Sequence, residues 1–423
     1  MRILPEARLE VPSVRNAFHA LKIEPRSLFI LAPAIYLFVL PLAHTTGLRS
    51  VAFAVSVLLL VFTWRATPAP STPLKAAFVA WLTLAVVTLI WAVRPEYSIG
   101  EIRAEILQSF LTFIIFFRAT QSKRELTIWF VTISASALLV GAFALTHSLR
   151  GLDPYAVGMH GGTLYYAGYL NTVFPILAAM AILRSGWQRV FLICLMVFLL
   201  QTAIASTSRA VWVAFVLELA IFGGLYLRFI EITPPVRRLA FVASVAAFIL
   251  FSGAFVYVAK QKLQLSGGPA EILAQATKAD RRPQLWVDSI MFIEERPLTG
   301  AGFGRMVIGK ELATQQNDPN HTHAHNIILN YALQLGLFGP IVLVFLFYSV
   351  VREFWKLTKS SSYELKILGV AGISVLGGIF GHSMVEDIFV RHLAWLFWAL
   401  VGMTLGYAMN NEKSVVHANT VIE

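Results

Sequence analysis

Three histidines stand at alternate positions, His321, His323 and His325, and Asn326 leads from them straight into an apolar run. A neutral imidazole near pH 7 takes a proton from a hydroxyl. In extended backbone, residues two apart share a face, so the three rings could line one side of a segment at the mouth of a membrane helix. The same array could bind zinc. No nearby cysteine or HExxH pattern supports that, and the spacing offers no clear fourth ligand, so no metal is expected. Arginines suited to a phosphate partner lie elsewhere: Arg209 ends the polar connection Ser206, Thr207 and Ser208, and Arg281 and Arg282 stand together before Pro283. Guanidinium groups grip phosphate oxygens through paired parallel hydrogen bonds. A lone arginine at a membrane boundary can also simply snorkel to headgroups. A last polar cluster, Glu386, Asp387, Arg391 and His392, falls in MVEDIFVRH.

The elements that must position these residues follow from composition. Of the 423 residues 57% are hydrophobic and 13% charged, with a mean hydropathy of +0.70. A soluble domain carries about 25% charged residues, so this is a membrane chain, and about 20 apolar residues suffice for one helical crossing. Apolar runs lie at 28–46, 48–64, 74–93, 105–119, 126–148, 163–183, 189–206, 210–229, 239–258, 326–351, 366–384 and 391–409. They predict an all-α polytopic protein of about twelve transmembrane helices, since short alternating strands of a barrel are absent. The single Cys194 permits no internal disulfide.

Basic residues choose the orientation, because short loops rich in Lys and Arg stay cytoplasmic. With the N-terminus inside, the outer short loops hold only Arg49, Arg94, Arg103, Arg150, Arg209 and Arg391 of the 34 basic residues. The reading is a cytoplasmic tail at 1–27 without a cleavable leader, transmembrane helices 1–9 at 28–258, a long outer loop at 259–325, helices 10–12 at 326–409 and a cytoplasmic tail at 410–423. The net charge of +11 is scattered over short loops, with no basic domain to track a duplex, so no nucleic-acid partner is expected.

Within the long loop, Leu285, Trp286, Ile290 and Ile293 recur at near-helical spacing, Pro283 suits a first turn and Asp280 suits an N-cap, which predicts a short amphipathic helix on the membrane surface. Arg281 and Arg282 then sit at the positive end of the helix dipole. That placement either marks an anion site or leaves both solvated among headgroups. Gly300, Gly302 and Gly304 follow without the strand or spacing of a nucleotide-binding loop, so a tight turn or close backbone packing is expected of them.

The chain resembles the O-antigen ligases of Gram-negative bacteria, within a superfamily that includes O-antigen polymerases. The resemblance rests on His325 and Asn326 followed after nine positions by Gly336 and Gly339, on Arg282 to Trp286 with Pro297, Gly300, Gly302 and Gly304, and on Ser208, Arg209 and Ala210. It implies a metal-independent, cofactor-free glycosyltransferase in the bacterial inner membrane, both termini cytoplasmic and the active site on the periplasmic face. The donor is an undecaprenyl-diphosphate-linked glycan and the acceptor lipid A-core. By the same resemblance Arg209, Arg282 and His325 are the expected catalytic residues, and Arg281, His323, Asn326, Arg305 and Asp387 the expected substrate contacts. Whether histidine acts as base or phosphate ligand stays open, as does the choice between Arg281 and Arg282. An O-antigen polymerase or a protein O-oligosaccharyltransferase uses the same donor. A secondary transporter or flippase is the rival of another class, although those usually show repeated halves and polar residues at the membrane midplane.

Overall fold

Apolar segments in hydrocarbon must satisfy their own backbone groups, and helices do so segment by segment. In the computed structural model residues 25–420 are described, apart from 65–70, 151–162, 206–207, 232–233, 264–266, 279–280 and 318–321, and they contain helices and no strand. The first is α1 (Pro25–Val39), followed by α2 (Thr46–Thr63) and α3 (Lys75–Val87). Next, α4 (Pro95–Glu101) passes through a π-helical turn at Ile102–Leu107 into α5 (Gln108–Ala119). Then come α6 (Lys123–Leu149), α7 (Thr163–Leu183), α8 (Gly186–Ala205), α9 (Arg209–Phe229) and α10 (Pro234–Leu263). Four shorter helices follow: α11 (Pro269–Lys278), α12 (Arg282–Glu295), α13 (Gly309–Gln316) and α14 (Ile327–Leu335). The chain closes with α15 (Phe338–Thr358), α16 (Tyr363–Ser383) and α17 (Arg391–Thr420).

Among the described residues eight helices are long and apolar enough to cross a membrane, with two shorter apolar ones at Phe29–Val39 and Lys75–Ile90. The membrane-length part of α17 is 94% buried inside the protein while that of α2 is 22% buried, so α17 lies at the centre of the bundle and α2 at its rim. Around α17 pack α5, and beyond it α16 with α7, α9 and α15. Trp398 of α17 meets Phe78, Phe113, Phe389 and Phe397 at ring distances of 4.5 to 6.3 Å. In a bilayer such shape-matched contact, and not water exclusion, is what holds helices together.

Two expectations are corrected. The run 326–351 is not one helix. It breaks at Gly336, whose φ of +65° no helix tolerates, and the Leu337 amide donates out of the helix to Pro297 O at 2.8 Å. Only α15 is of spanning length there; α14 packs against α12. In α12, Pro283 does occupy the first turn, but Arg281 stands at the N-cap position, and Asp280 lies outside the described residues. Its buried stripe is Leu285, Asp288 and Ser289 with Phe292 and Ile293 beside it, which leaves Ile290 exposed. The reason is tertiary: Leu285 joins Ala301, Val307, Ile308, Leu312, Ala324 and Leu333 in a satellite core under the short helices.

Candidate functional site

A glycine loop and a helix break build the floor of the site. Gly300, Gly302 and Gly304 all have positive φ, at 62°, 106° and 127°, a region that only glycine enters freely. The loop lies flat on the end of α14: Ala301 N donates to Leu333 O at 2.9 Å, Gly302 N to Gln334 O at 3.0 Å, and Gly304 N to the Gln334 side chain at 2.8 Å. A Cβ on Gly300 would stand 2.4 Å from Gln334 O, and one on Gly336 would stand 2.6 Å from the Leu298 carbonyl. The glycines thus serve close backbone packing, and the loop they shape presents Arg305.

The histidine segment is pinned from both sides. Trp286 Nε1 donates to Ala324 O at 3.0 Å, and Ala324 N donates to Asn330 Oδ1 at 2.8 Å. With Ala324 held facing inward, its two neighbours turn the same way, and the His323 and His325 rings lie 4.0 Å apart. His325 takes a left-handed φ of 49° instead of the extended backbone expected for the segment. His321 lies outside the described residues. Asn326 then starts α14: its side-chain oxygen accepts from the Ile328 and Leu329 amides, and its Nδ2 donates to Met384 O at 2.9 Å. It therefore acts as a helix cap.

Both rings converge on Glu386, which lies just beyond α16 and is 5% exposed. His325 Nδ1 stands 2.6 Å from Glu386 Oε1 and His323 Nε2 3.4 Å from the same oxygen, while Arg282 reaches Oε2 at 3.5 Å. Burial alone would raise the Glu386 carboxyl, but its hydrogen bonds from His323 and His325 outweigh that and hold it well below the usual carboxylate range. Burial pushes the His323 imidazole down to about 4, so it is neutral at pH 7. Arg282 is partly open, with 27% of its side chain exposed, and its neighbour Arg281 is exposed. The same three groups, His323, His325 and Glu386, place ligand-type atoms within 4.8 Å of one another and are the described residues that could hold a metal ion.

A second layer fixes the Glu386 segment. Asp387 is buried, accepts from Asn330 Nδ2 at 2.7 Å and from Phe389 N at 3.2 Å, and offers its carbonyl to Arg305 at 2.9 Å. Arg305 also donates to the Tyr165 hydroxyl at 3.3 Å. Arg391, φ 45°, is ion-paired to Glu101 and takes its backbone tie from Glu105 at 2.8 Å, across the π-helical turn. Arg209 opens α9. Along the antiparallel α9 and α16 pair, Ile221 faces Gly377 and Leu217 faces Gly381, a register that carries Arg209 level with the segment holding Glu386. So the structure brings Arg282, His323, His325, Asn326, Arg305 and Asp387 together, with Arg209 at the same end of the bundle. Ser206 and Thr207 lie outside the described residues.

Glu386 is the hub that sequence reasoning did not single out. Its signal was present, a carboxylate next to Asp387 in the loop after a predicted span, but nothing local pairs it with histidines 61 and 63 residues away.

Residues 194–345 match the family described as O-Antigen ligase. The chain carries an O-antigen ligase family domain. No curated protein matches the chain. The matched segment of the ligase domain contains Arg209, Arg281, Arg282, Arg305, His323, His325 and Asn326, whereas Glu386 and Asp387 come from α16's far end, outside it. The family's segment thus supplies guanidinium and imidazole groups, and the carboxylates that orient them are folded in from the last third of the chain.

Proposed function

We propose that this protein is an O-antigen ligase, moving a glycan from undecaprenyl diphosphate to lipid A-core at the periplasmic face of the inner membrane. The observation that carries the reading is the 2.6 Å contact between His325 Nδ1 and Glu386, with Arg282 on the other carboxylate oxygen. A carboxylate on Nδ1 favours the tautomer with the proton there, which puts the basic lone pair on Nε2, and that is how an imidazole is set to take a hydroxyl proton. In the proposed step the acceptor hydroxyl oxygen bonds to the anomeric carbon of the donor sugar as that carbon's bond to the diphosphate oxygen breaks. The hydroxyl proton goes to His325 Nε2, and the electron pair of the broken bond stays on the diphosphate. Arg282 and Arg209 stabilise that growing charge, with Arg281 at the rim. The leaving group is already activated, so no nucleotide or metal enters the step.

Arg305, Asp387 and Asn326 take supporting roles in this reading, because their polar atoms are engaged with protein partners: they hold the floor against which donor and acceptor lie. The loop-charge asymmetry supports the orientation, with both termini cytoplasmic, the long segment around α11 to α13 outside, and spans before and after it.

The test uses purified protein in lipid nanodiscs with lipid-linked glycan and lipid A-core. Glycan joined to lipid A-core without an ion gradient supports the reading and excludes pure transport. Extension of the lipid-linked glycan itself, with lipid A-core unmodified, assigns a polymerase instead.

A further inference from the structure

Beneath the Glu386 cluster, within the bundle, three polar side chains from three helices meet out of reach of solvent. They are Asn171 of α7, Glu218 of α9 and His382 of α16, with exposures of 0%, 3% and 0%. Polar groups inside membrane helices are costly and mark a function by default. Each of these helices also carries part of the candidate site: α7 bears Tyr165, which meets Arg305, α9 begins at Arg209, and α16 runs out into Glu386.

The bond between Asn171 and His382 is directional, and Glu218 joins them by shape. Asn171 Nδ2 donates to Val211 O at 3.4 Å, and its Oδ1 lies 2.7 Å from His382 Nδ1. Since that oxygen can only accept, His382 presents Nδ1–H to it. One asparagine therefore ties α9, two residues past Arg209, to α16, four residues before Glu386. Further along the same pair of helices, Glu218 presses its carboxyl into a notch on α16: a Cβ at Gly378 would stand 1.7 Å from Oε1. Gly377, Gly378 and Gly381 receive Ile221, Glu218 and Leu217 in turn, so α9 lies close against a nearly smooth face of α16. A smooth apolar face fixes distance well and sliding poorly. A buried, directional hydrogen bond supplies the register that shape alone leaves loose, as buried polar groups do in coiled coils.

We propose that Asn171, His382 and Glu218 are positioning residues for the joining reaction: a buried clamp that sets the Arg209 end of α9 and the Glu386 end of α16 in one register, so that guanidinium and imidazole groups face the same diphosphate. The clamp works through hydrogen-bond direction and shape. This inference rests on the reading of the site as a diphosphate-binding catalytic centre.

The test takes the full chain in nanodiscs and measures kcat, donor KM and Tm for N171L, H382L, H382N, E218L and E218Q. A second readout is independent of activity: spin labels at positions 213 and 380, exposed on α9 and α16, in a C194S background, report the register as a distance distribution. Removing one partner of a buried pair leaves the other unsatisfied, so N171L and H382L are expected to lower Tm, and their rates are compared at a temperature well below the Tm of every variant. Their kcat should fall at least about tenfold, toward the ~10²-fold that a ~1 Å misplacement costs, and the N171L distance distribution should broaden. H382N, whose amide nitrogen stands near the place of Nδ1, should restore most of the rate lost in H382L, and E218Q should exceed E218L in the same way. N171L and H382L joining glycan at the wild-type rate would overturn the clamp, as would H382N no better than H382L or an unchanged distance distribution in N171L. If the wild type joins no glycan while the distances still depend on Asn171, the functional reading fails and the clamp stands.

Discussion

Replacing Glu386 with Gln is the sharpest perturbation of the site, because it keeps the volume and removes the charge on which three side chains converge. Glu386 takes His325 at 2.6 Å, His323 at 3.4 Å and Arg282 at 3.5 Å while 5% exposed. An amide in its place has one acceptor and one donor end. If the oxygen stays on His325, the NH2 faces the Arg282 guanidinium; if it turns to Arg282, the NH2 faces Nδ1–H of His325. Either way one charge-assisted hydrogen bond is lost, worth about 1.5–3 kcal/mol, and a buried donor meets a donor. E386Q should therefore lose roughly 1–3 kcal/mol of stability and still insert, since the substitution lies outside the spans. Its joining rate should fall by ~10²–10⁴, the usual contribution of a positioned base, with kcat carrying the loss more than donor KM. The assay is conversion of lipid A-core to the glycan-bearing form by purified protein in nanodiscs, followed by mass spectrometry beside a thermal melt. E386Q joining within about twofold of wild type would refute the reasoning, because an uncharged residue would then orient the base equally well.

Further expectations follow from the same geometry. Ala in place of Arg209, Arg282 or His325 should abolish joining with membrane insertion intact, and R281A should be milder because Arg282 and not its exposed neighbour meets Glu386; near-normal turnover in any of the first three removes that residue from the site. Acid should weaken the fold: His323 is held at about 4 against its ordinary 6.5, so the unfolded chain binds the extra proton between those values and stability falls as pH drops through the window, by up to about 3 kcal/mol. Glu386, held low, adds to the loss below its ordinary range. Melting temperatures between pH 7 and 4 check the slope, which H323N should flatten. G300A should cost roughly 2 kcal/mol or more, since φ is +62° and the new Cβ would meet Gln334 O at 2.4 Å, and a wild-type melt for this variant would show that the loop can relax. EDTA should leave joining unchanged; inhibition reversed by zinc would instead place an ion among His323, His325 and Glu386.

Much of the architecture could be read directly, and the places where reading failed share a cause. Gly336 stood in plain view inside an apolar run, yet its helix-breaking role depends on Pro297 receiving the freed Leu337 amide from another part of the chain. Likewise α12 had the spacing of a helix, but the face it buries was chosen by the satellite core of Leu285, Val307, Leu312 and Leu333. Asn326, expected by motif as a substrate contact, also has a structural part that local sequence did not show, as a cap and as a tie to Met384. The histidine spacing was legible, but the extended backbone it implied was not adopted: His325 turns left-handed, and the rings of His323 and His325 are brought together around Ala324, which is pinned from both sides.

The sequence by itself determined the class of the protein, helical and membrane-embedded, together with the clustering of its unusual cations near span ends. A bilayer imposes those features residue by residue, through apolar length and loop charge. What only the tertiary structure decided is the partnership of these groups. Glu386 meets His325 across 61 residues and Arg282 across 104, and His382 meets Asn171 across 211. Such distances along the chain are closed by how α9 lies on α16 and how the glycine loop lies on α14, and no local periodicity encodes a contact that two separately folded helices make when they pack.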